Sequence, residues 1–254
     1  MQVWAIANQK GGVGKTTTTL CLSRGLAELG HRVLVVDMDP HGSITCAFRV
    51  PSDPPPAGTH ELFNGQSVAE IAHATPLANI HLIAAQPAMA TLERRSATQP
   101  GLGLALERAL QAAKDDYDYV LLDCPPTLSL LLVNALAACD RLIVPSQTDP
   151  LAIHGLQGMM HTAAMVERSR GRPMLRQVLP TLFDRRTKSG QHVLEQMQTL
   201  YGDAICSTPI PLDTRLRDAD MLASKEHLYG RGLMAYEHAL QWLLDTAPAA
   251  REAA

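Results

Sequence analysis

The sequence predicts an α/β fold in which a mostly parallel central sheet carries helices on both faces. Three observations lead there. Short runs of strand length alternate with helix-length segments along most of the chain. The strand-length runs are apolar throughout rather than alternating, as expected for strands covered on both sides. The two opening runs flank a glycine-rich loop and a helix, which makes a βαβ unit with parallel strands and a right-handed crossover.

Each element has its own warrant. Val3-Trp4-Ala5-Ile6-Ala7 reads as the first strand and residues 8–16 as the glycine-rich loop. Residues 15–29 are predicted helical because Leu22, Leu26 and Leu29 recur at helical spacing, with Gly30 placed as the C-cap. Val33-Leu34-Val35-Val36 is the second strand and ends at Asp37. Further strands are expected at 79–84, at 119–122 ending at Asp123, at 142–144 ending at Pro145, at 177–183 and at 204–207. Helices are expected at 102–113, 151–168, 190–201 and 236–244. Residues 51–58, with four prolines in eight positions, form a loop too short to link domains. The expectation is one domain over 1–245, with a frayed alanine-rich tail at 246–254.

Composition excludes several classes. A chain of 254 residues, 46% hydrophobic and 19% charged, is long enough for a large core. It contains no run of eighteen apolar residues, so a spanning helix is not expected. The first residues lack a basic stretch followed by an apolar one, so no secretion signal is expected. Cys21, Cys46, Cys124, Cys139 and Cys206 are scattered, which suggests neither a disulfide framework nor a zinc finger and points to a reducing cytoplasm. The net charge of -3 is not that of a globally basic nucleic-acid binder. No HxxxH or HExxH occurs, so a protein-held transition metal is not expected.

The chemistry concentrates in Gln9-Lys10-Gly11-Gly12-Val13-Gly14-Lys15-Thr16-Thr17. A loop between a strand and a helix N-terminus can aim successive backbone N–H groups at one phosphate, and glycines let the backbone close around it. Lys15 then reaches the β- and γ-phosphates, and the Thr16 hydroxyl serves Mg2+. The predicted fold is thus a single P-loop NTPase domain. The usual pattern wants a glycine where Gln9 stands, and Lys10, Gly11 and Gly12 follow in its place. Asp37 and Asp39 end the second strand, and Asp123 ends the strand at 119–122. Ligand sites of parallel sheets lie beyond the strands' carboxyl ends, so all three carboxylates are expected near this loop.

Lys-Gly-Gly-Val-Gly-Lys-Thr-Thr resembles the deviant Walker A motif of the ParA/MinD ATPases. Asp37-Met38-Asp39-Pro40-His41-Gly42 is similar to that family's Asp-x-Asp-Pro-Gln-Gly, with His41 where glutamine is usual. The likeness extends through residues 118–126, Asn134-Ala135-Leu136, Val144-Pro145-Ser146-Gln147, Phe183-Asp184-Arg185-Arg186-Thr187 and Pro209-Ile210-Pro211, in order and spacing, and so covers most of the chain. It implies ATP and Mg2+ as cofactors. Lys10, Lys15 and Asp39 would be the catalytic set, Lys10 crossing a homodimer interface to the partner's phosphates and Asp39 serving the attacking water. Thr16, Asp37 and Asp123 would serve Mg2+. Lys10, Gly11, Gly12, Val13, Gly14, Lys15, Thr16 and Thr17 would hold phosphate, with Asp184, Pro209 and Pro211 near the base.

By the same resemblance the chain would be a weak ATPase that dimerises on ATP, binds nucleoid DNA non-specifically in the cytoplasm, and positions or segregates cargo, plasmid or chromosome DNA, through a ParB-type or other adaptor partner. Residues 168–231 hold eleven Lys/Arg against seven Asp/Glu, whereas residues 1–167 hold ten against fifteen. Arg215, Arg217, Lys225 and Arg231 are the candidates for DNA backbone contact. Leu212-Asp213 departs from the family's Arg-Asn, which counts against tight DNA binding. The phosphate loop starts at residue 9, so no N-terminal helix-turn-helix is expected in this sequence. The predicted helix at 236–244 lacks a Lys/Arg face, so a MinD-type membrane helix is not expected. No cysteine has cluster-ligand spacing, so no iron–sulfur cluster is expected. The alternatives are a positioner of a protein machine such as a chemotaxis or flagellar cluster, and an ATP-dependent amide-forming ligase, for which no insertion builds a substrate pocket.

Overall fold

The computed structural model describes residues 1–51, 53–92, 101–226 and 229–246. Among these a 7-stranded sheet runs β3-β4-β2-β5-β1-β6-β7. Its strands are β1 (Gln2–Ile6), β2 (Val33–Asp37), β3 (His73–Ala74), β4 (Ile80–Ile83), β5 (Tyr119–Asp123), β6 (Arg141–Gln147) and β7 (Leu175–Thr181). Every pairing is parallel except the short edge pairing of β3 with β4. The central strands are short, β-branched or aliphatic and buried on both faces, so successive residues feed two different cores. Val3 and Ala5 enter the core beneath α5 (Ala105–Ala112), α6 (Leu130–Ala138) and α7 (Ala152–Arg170). Trp4 and Ile6 enter the core beneath α1 (Lys15–Glu28) and α10 (Arg231–Asp245), the latter following α8 (Lys188–Tyr201) and α9 (Ala219–Leu222) in the chain.

The strand order decides where a ligand can sit. From β1 the chain crosses to β2 on one side of it, while β6 pairs on the other. The loop after β1 therefore opens at the point where successive connections diverge, the usual crevice of parallel sheets. In the register of β2 with β5, Asp37 stands beside Asp123 at the sheet's carboxyl end.

Several predicted elements shift. Residues 204–207 form no strand: Ile205 makes a single parallel bridge to Val178 after a 3-10 turn, and after Cys206 the next bond to β7 comes from Ile210, whose N–H donates to the Pro180 carbonyl. The closing helix begins at Arg231, five residues before the expected start, and Gly232, Ala235, Tyr236, Ala239, Leu240 and Leu243 face inward. The expected helix at 102–113 opens as a 3-10 turn and becomes α-helical at Ala105. Helix α6 carries no amphipathic period to read, since eight of its nine residues are apolar; Ser129 caps it by accepting the Leu132 N–H. Short helices α2 (Ser43–Ala47), α3 (Thr59–Phe63) and α4 (Val68–Ile71) occupy a stretch where the pattern showed nothing.

The expected frayed tail is held at its first residue. Arg141, wholly buried and stacked 5.0 Å from the Trp4 ring, donates to the Thr246 carbonyl at 3.0 Å. Gln177 donates to the Thr246 hydroxyl at 2.8 Å. The rest of that tail, 247–254, lies outside the described residues.

The turn before α3 packs against the carboxyl end of β4 with no room for a side chain at Gly58, where an added Cβ would stand 2.1 Å from the Ala84 carbonyl oxygen. Gly58→Ala is expected to cost about 2 kcal/mol or more and to lower the melting temperature by several degrees. Gly155→Ala, within α7 and open to space, is expected to raise stability by about 0.5 kcal/mol or more. Thermal melts of the two variants side by side check both signs.

Candidate functional site

Glycines shape the loop that follows β1. Gly12 and Gly14 have φ of 71° and 86°, left-handed values that a side chain rarely tolerates. Gly14 is the N-cap of α1 and offers no side-chain acceptor, so the first-turn N–H groups are left for a ligand. Buried Asn8 ties the loop to β6 by donating to the Pro145 carbonyl at 2.8 Å. The Val13 carbonyl accepts from Thr181 Oγ1 at 2.8 Å, which fixes the loop's other side to the end of β7. Lys15 Nζ donates to the Lys10 carbonyl at 3.1 Å. Burial pulls the Lys15 pKa down, opposed by the negative charge of Asp123 and Asp39.

Two carboxylates lie under the loop, both essentially without exposure. Asp37 Oδ2 accepts from the Thr45 N–H at 3.0 Å and the Thr45 hydroxyl at 2.7 Å. Asp123 accepts from the Thr16 hydroxyl at 2.9 Å and the Thr19 hydroxyl at 3.2 Å. Burial pushes both carboxyls above the usual carboxylate range, and the neighbouring Asp37 charge adds to the rise at Asp123. Such a pair of hard oxygen donors, with hydroxyls around it and an anion-binding helix end above, fits Mg2+. Among the described residues no three His, Cys, Asp or Glu side chains converge into a metal cage, so such an ion would need further ligands from phosphate and water.

A cavity of about 520 Å³ opens above this pair. Of the sequence-predicted residues, Gly11, Gly12, Gly14, Lys15, Thr16, Thr17, Asp39 and Pro211 line it. Asp39 Oδ1 accepts from the His41 N–H at 3.0 Å and lies 2.7 Å from the His41 ring Nδ1. Val13 is buried behind the loop. Lys10 turns away from the cavity: its Nζ lies 2.5 Å from Asp149 of the same chain.

The base-side expectations separate. Pro211 lines the cavity, but Pro209 does not, and Asp184 is held by Arg186 at 2.8 Å in a neighbouring hollow of about 350 Å³. Ile210, inside the expected Pro209-Ile210-Pro211 stretch, lines the cavity beside Pro211, and so do Thr181, Leu182 and Tyr236, which sequence reading missed. The unusual backbone at Leu182, whose φ is 53°, leaves no trace in the sequence.

The four DNA candidates also divide. Arg215 is occupied by Asp213 at 3.4 Å and by the Tyr229 carbonyl at 2.8 Å. Arg217 lines the 520 Å³ cavity, whereas Arg231 lines the neighbouring hollow beside Arg185 and Arg186. Lys225 is exposed.

With the site in place, its relatives can be compared. Residues 1–176 match the AAA domain family. The chain is 37% identical over 220 residues to the sporulation initiation inhibitor protein Soj of Bacillus subtilis, covering 86% of this chain and 87% of that one. It is 40% identical over 219 residues to the chromosome-partitioning ATPase Soj of Thermus thermophilus, covering 85% and 83%. Among solved structures, it superposes with a TM-score of 0.83 and 33% identity on the cobyrinic acid a,c-diamide synthase of Mycobacterium smegmatis with bound ATP analogue and magnesium, covering 95% and 93%.

The buried carboxylates yield a pH test. A carboxyl whose pKa is higher folded than unfolded adds stability below the ordinary carboxylate pKa, and that contribution is lost as pH rises through the folded value. Asp123→Asn keeps an acceptor for Thr16 and Thr19 but cannot ionise. Without nucleotide, it is expected to melt higher than the parent by about 2 kcal/mol or more near pH 9, with the gap shrinking toward about pH 5. Melting curves across that range check it; a gap that does not change with pH contradicts it.

Proposed function

Since the chain belongs to the ParA/Soj family of chromosome-partitioning ATPases, we propose that it is an ATPase of DNA segregation that closes into a homodimer around ATP–Mg2+ and opens on hydrolysis. The observation that carries this reading is the bond from Thr16 to buried Asp123 at 2.9 Å, made at the mouth of a glycine loop whose lysine faces the same cavity. A hydroxyl and a carboxylate held together there are what a nucleotide-borne cation needs.

Each residue then has a task. The N–H groups of residues 11–16 and the Lys15 ammonium hold the phosphates. Thr16 and Asp123 hold Mg2+, with Asp37 steadying that side from beneath. When bound, Mg2+ neutralises charge that develops on the transferred phosphoryl group. Asp39 faces the cavity with Oδ1 pinned by His41, and its Oδ2, without a partner among the described residues, orients the attacking water. Little else supplies a base, which fits slow hydrolysis that a ParB-type or adaptor partner stimulates. Lys10 exchanges Asp149 for the phosphates held by a second copy, where two nucleotides face to face need added positive charge.

Residues 168–231, with their excess of Lys and Arg, support non-specific tracking of nucleoid DNA in the cytoplasm. Among the described residues no helix is long and apolar enough to cross a membrane. The apolar face of α10 is spent on α1, with Tyr236 2.9 Å from Thr18 Oγ1, so that face is not free to lie on lipid.

The likeness to the cobyrinic acid a,c-diamide synthase of Mycobacterium smegmatis supports a second reading, an amide-forming synthase. That chemistry needs an acceptor pocket beside the terminal phosphate, and the lining of the cavity here belongs to the phosphate loop and the surfaces around it.

Light scattering of Asp39→Ala with ATP–Mg2+ is expected to show a doubled mass, and Asp39→Ala combined with Lys10→Gln a single one while ATP still binds. Lys15→Ala is expected to weaken ATP binding by roughly a hundredfold. An Asp39→Ala protein that stays single at saturating ATP refutes the dimer, and turnover of ATP that requires an added amide acceptor favours the synthase.

A further inference from the structure

Arg217 was expected on a DNA-binding face; it is exposed, and its side chain also borders the cavity. Residues Thr214–Arg217 form a 3-10 turn that reaches across almost the whole chain to α1. Thr17 Oγ1 donates to the Leu216 carbonyl at 3.4 Å. Asp213 caps the turn, accepting from the Arg215 N–H at 3.1 Å through Oδ1 and from the Gly232 N–H at 3.2 Å through Oδ2. Leu216 itself is buried, 8% exposed. The backbone at Arg217 is therefore fixed between the first turns of α1 and α10, while its side chain borders the cavity and has no hydrogen bond or ion pair among the described residues.

Charge makes the placement pointed. The cavity is lined by two cations, Lys15 and Arg217, and by two carboxylates, Asp39 and Asp213. Asp213 is already engaged with Arg215. Lys10, which would otherwise add positive charge, lies against Asp149. Arg217 is thus the uncommitted cation of the lining. A planar guanidinium suits a phosphate because two parallel N–H bonds can be made at once.

We propose that Arg217 is a nucleotide-binding residue that contacts the α-phosphate and ribose side of the nucleotide held in its own chain, rather than a DNA contact. This rests on reading the cavity as an ATP site. Position argues for the α-phosphate side: Arg217 follows the residue bonded to Thr17, in the first turn of α1, and the same cavity continues to Leu182, Ile210 and Pro211 where the base would lie. A contact there does not involve the γ-phosphate, so it serves ATP and ADP alike.

The test measures binding of fluorescent ATP and ADP to the parent, Arg217→Ser, Arg217→Lys and Lys15→Ala, together with retention on non-specific DNA at saturating ATP. Arg217→Ser is expected to raise the Kd of both nucleotides by about tenfold and by equal factors. Arg217→Lys should restore part of the loss, since it returns the charge without the fork. At saturating ATP, DNA retention by Arg217→Ser should match the parent. Nucleotide affinities within about twofold of the parent overturn the proposal, and so does DNA retention that stays low once ATP saturates the variant. If Lys15→Ala also binds ATP as the parent does, the cavity is not the ATP site and the underlying reading falls as well. An unchanged melting temperature of nucleotide-free Arg217→Ser keeps misfolding out of the comparison.

Discussion

Two carboxylates, Asp37 and Asp123, are buried side by side at the ends of adjacent strands, directly under a helix N-terminus that favours anions. That arrangement is unfavourable by itself. Like charges without exposure repel, and burial resists ionisation of either one. On the proposed reading it would become favourable when a divalent cation arrives with a polyphosphate, because the cation would neutralise the pair while the helix end and the glycine loop take the phosphates. The hydroxyls of Thr16, Thr19 and Thr45 hold the carboxylates in place for that event. Much of the sheet's design serves this one juxtaposition: parallel strands bring both carboxyl ends together, and two sealed cores keep the strands in register.

Positive charge is the second half of the account. The loop offers Lys15, whose burial weakens its hold on a proton until an anion is beside it. Lys10 is present but engaged with Asp149. Arg217 comes from the far end of the sequence and stands uncommitted at the cavity wall. On the proposed reading a single copy is short of cations at its phosphate end, and a second copy lending Lys10 would correct the deficit. Nucleotide-dependent dimerisation would then rest on electrostatics.

What the sequence revealed and what it concealed follow one rule. Features written in contiguous residues were legible: the glycine loop, the strand ends at Asp37 and Asp123, and the first βαβ unit. Features made by distant segments were not. Arg217 reads as one more arginine of the basic stretch 168–231, and only the contact of Leu216 with Thr17, residues separated by 199 positions, turns it toward the cavity. Asp184, expected near the base by resemblance, stands paired with Arg186 in the hollow next to the cavity, a position that no contiguous motif specifies. Helix α6 was invisible for a different reason, since a helix buried on all sides has no polar face to mark its period.

The central claim is that the buried carboxylate pair holds a proton until the nucleotide and its cation displace it. Calorimetric titration of ATP–Mg2+ in buffers of different ionisation heat, near neutral pH, measures this directly. The account predicts protons leaving the protein on binding, with an apparent heat that varies from buffer to buffer. A heat of binding identical in every buffer would mean that the pair is ionised from the start, and the account of the site would be wrong.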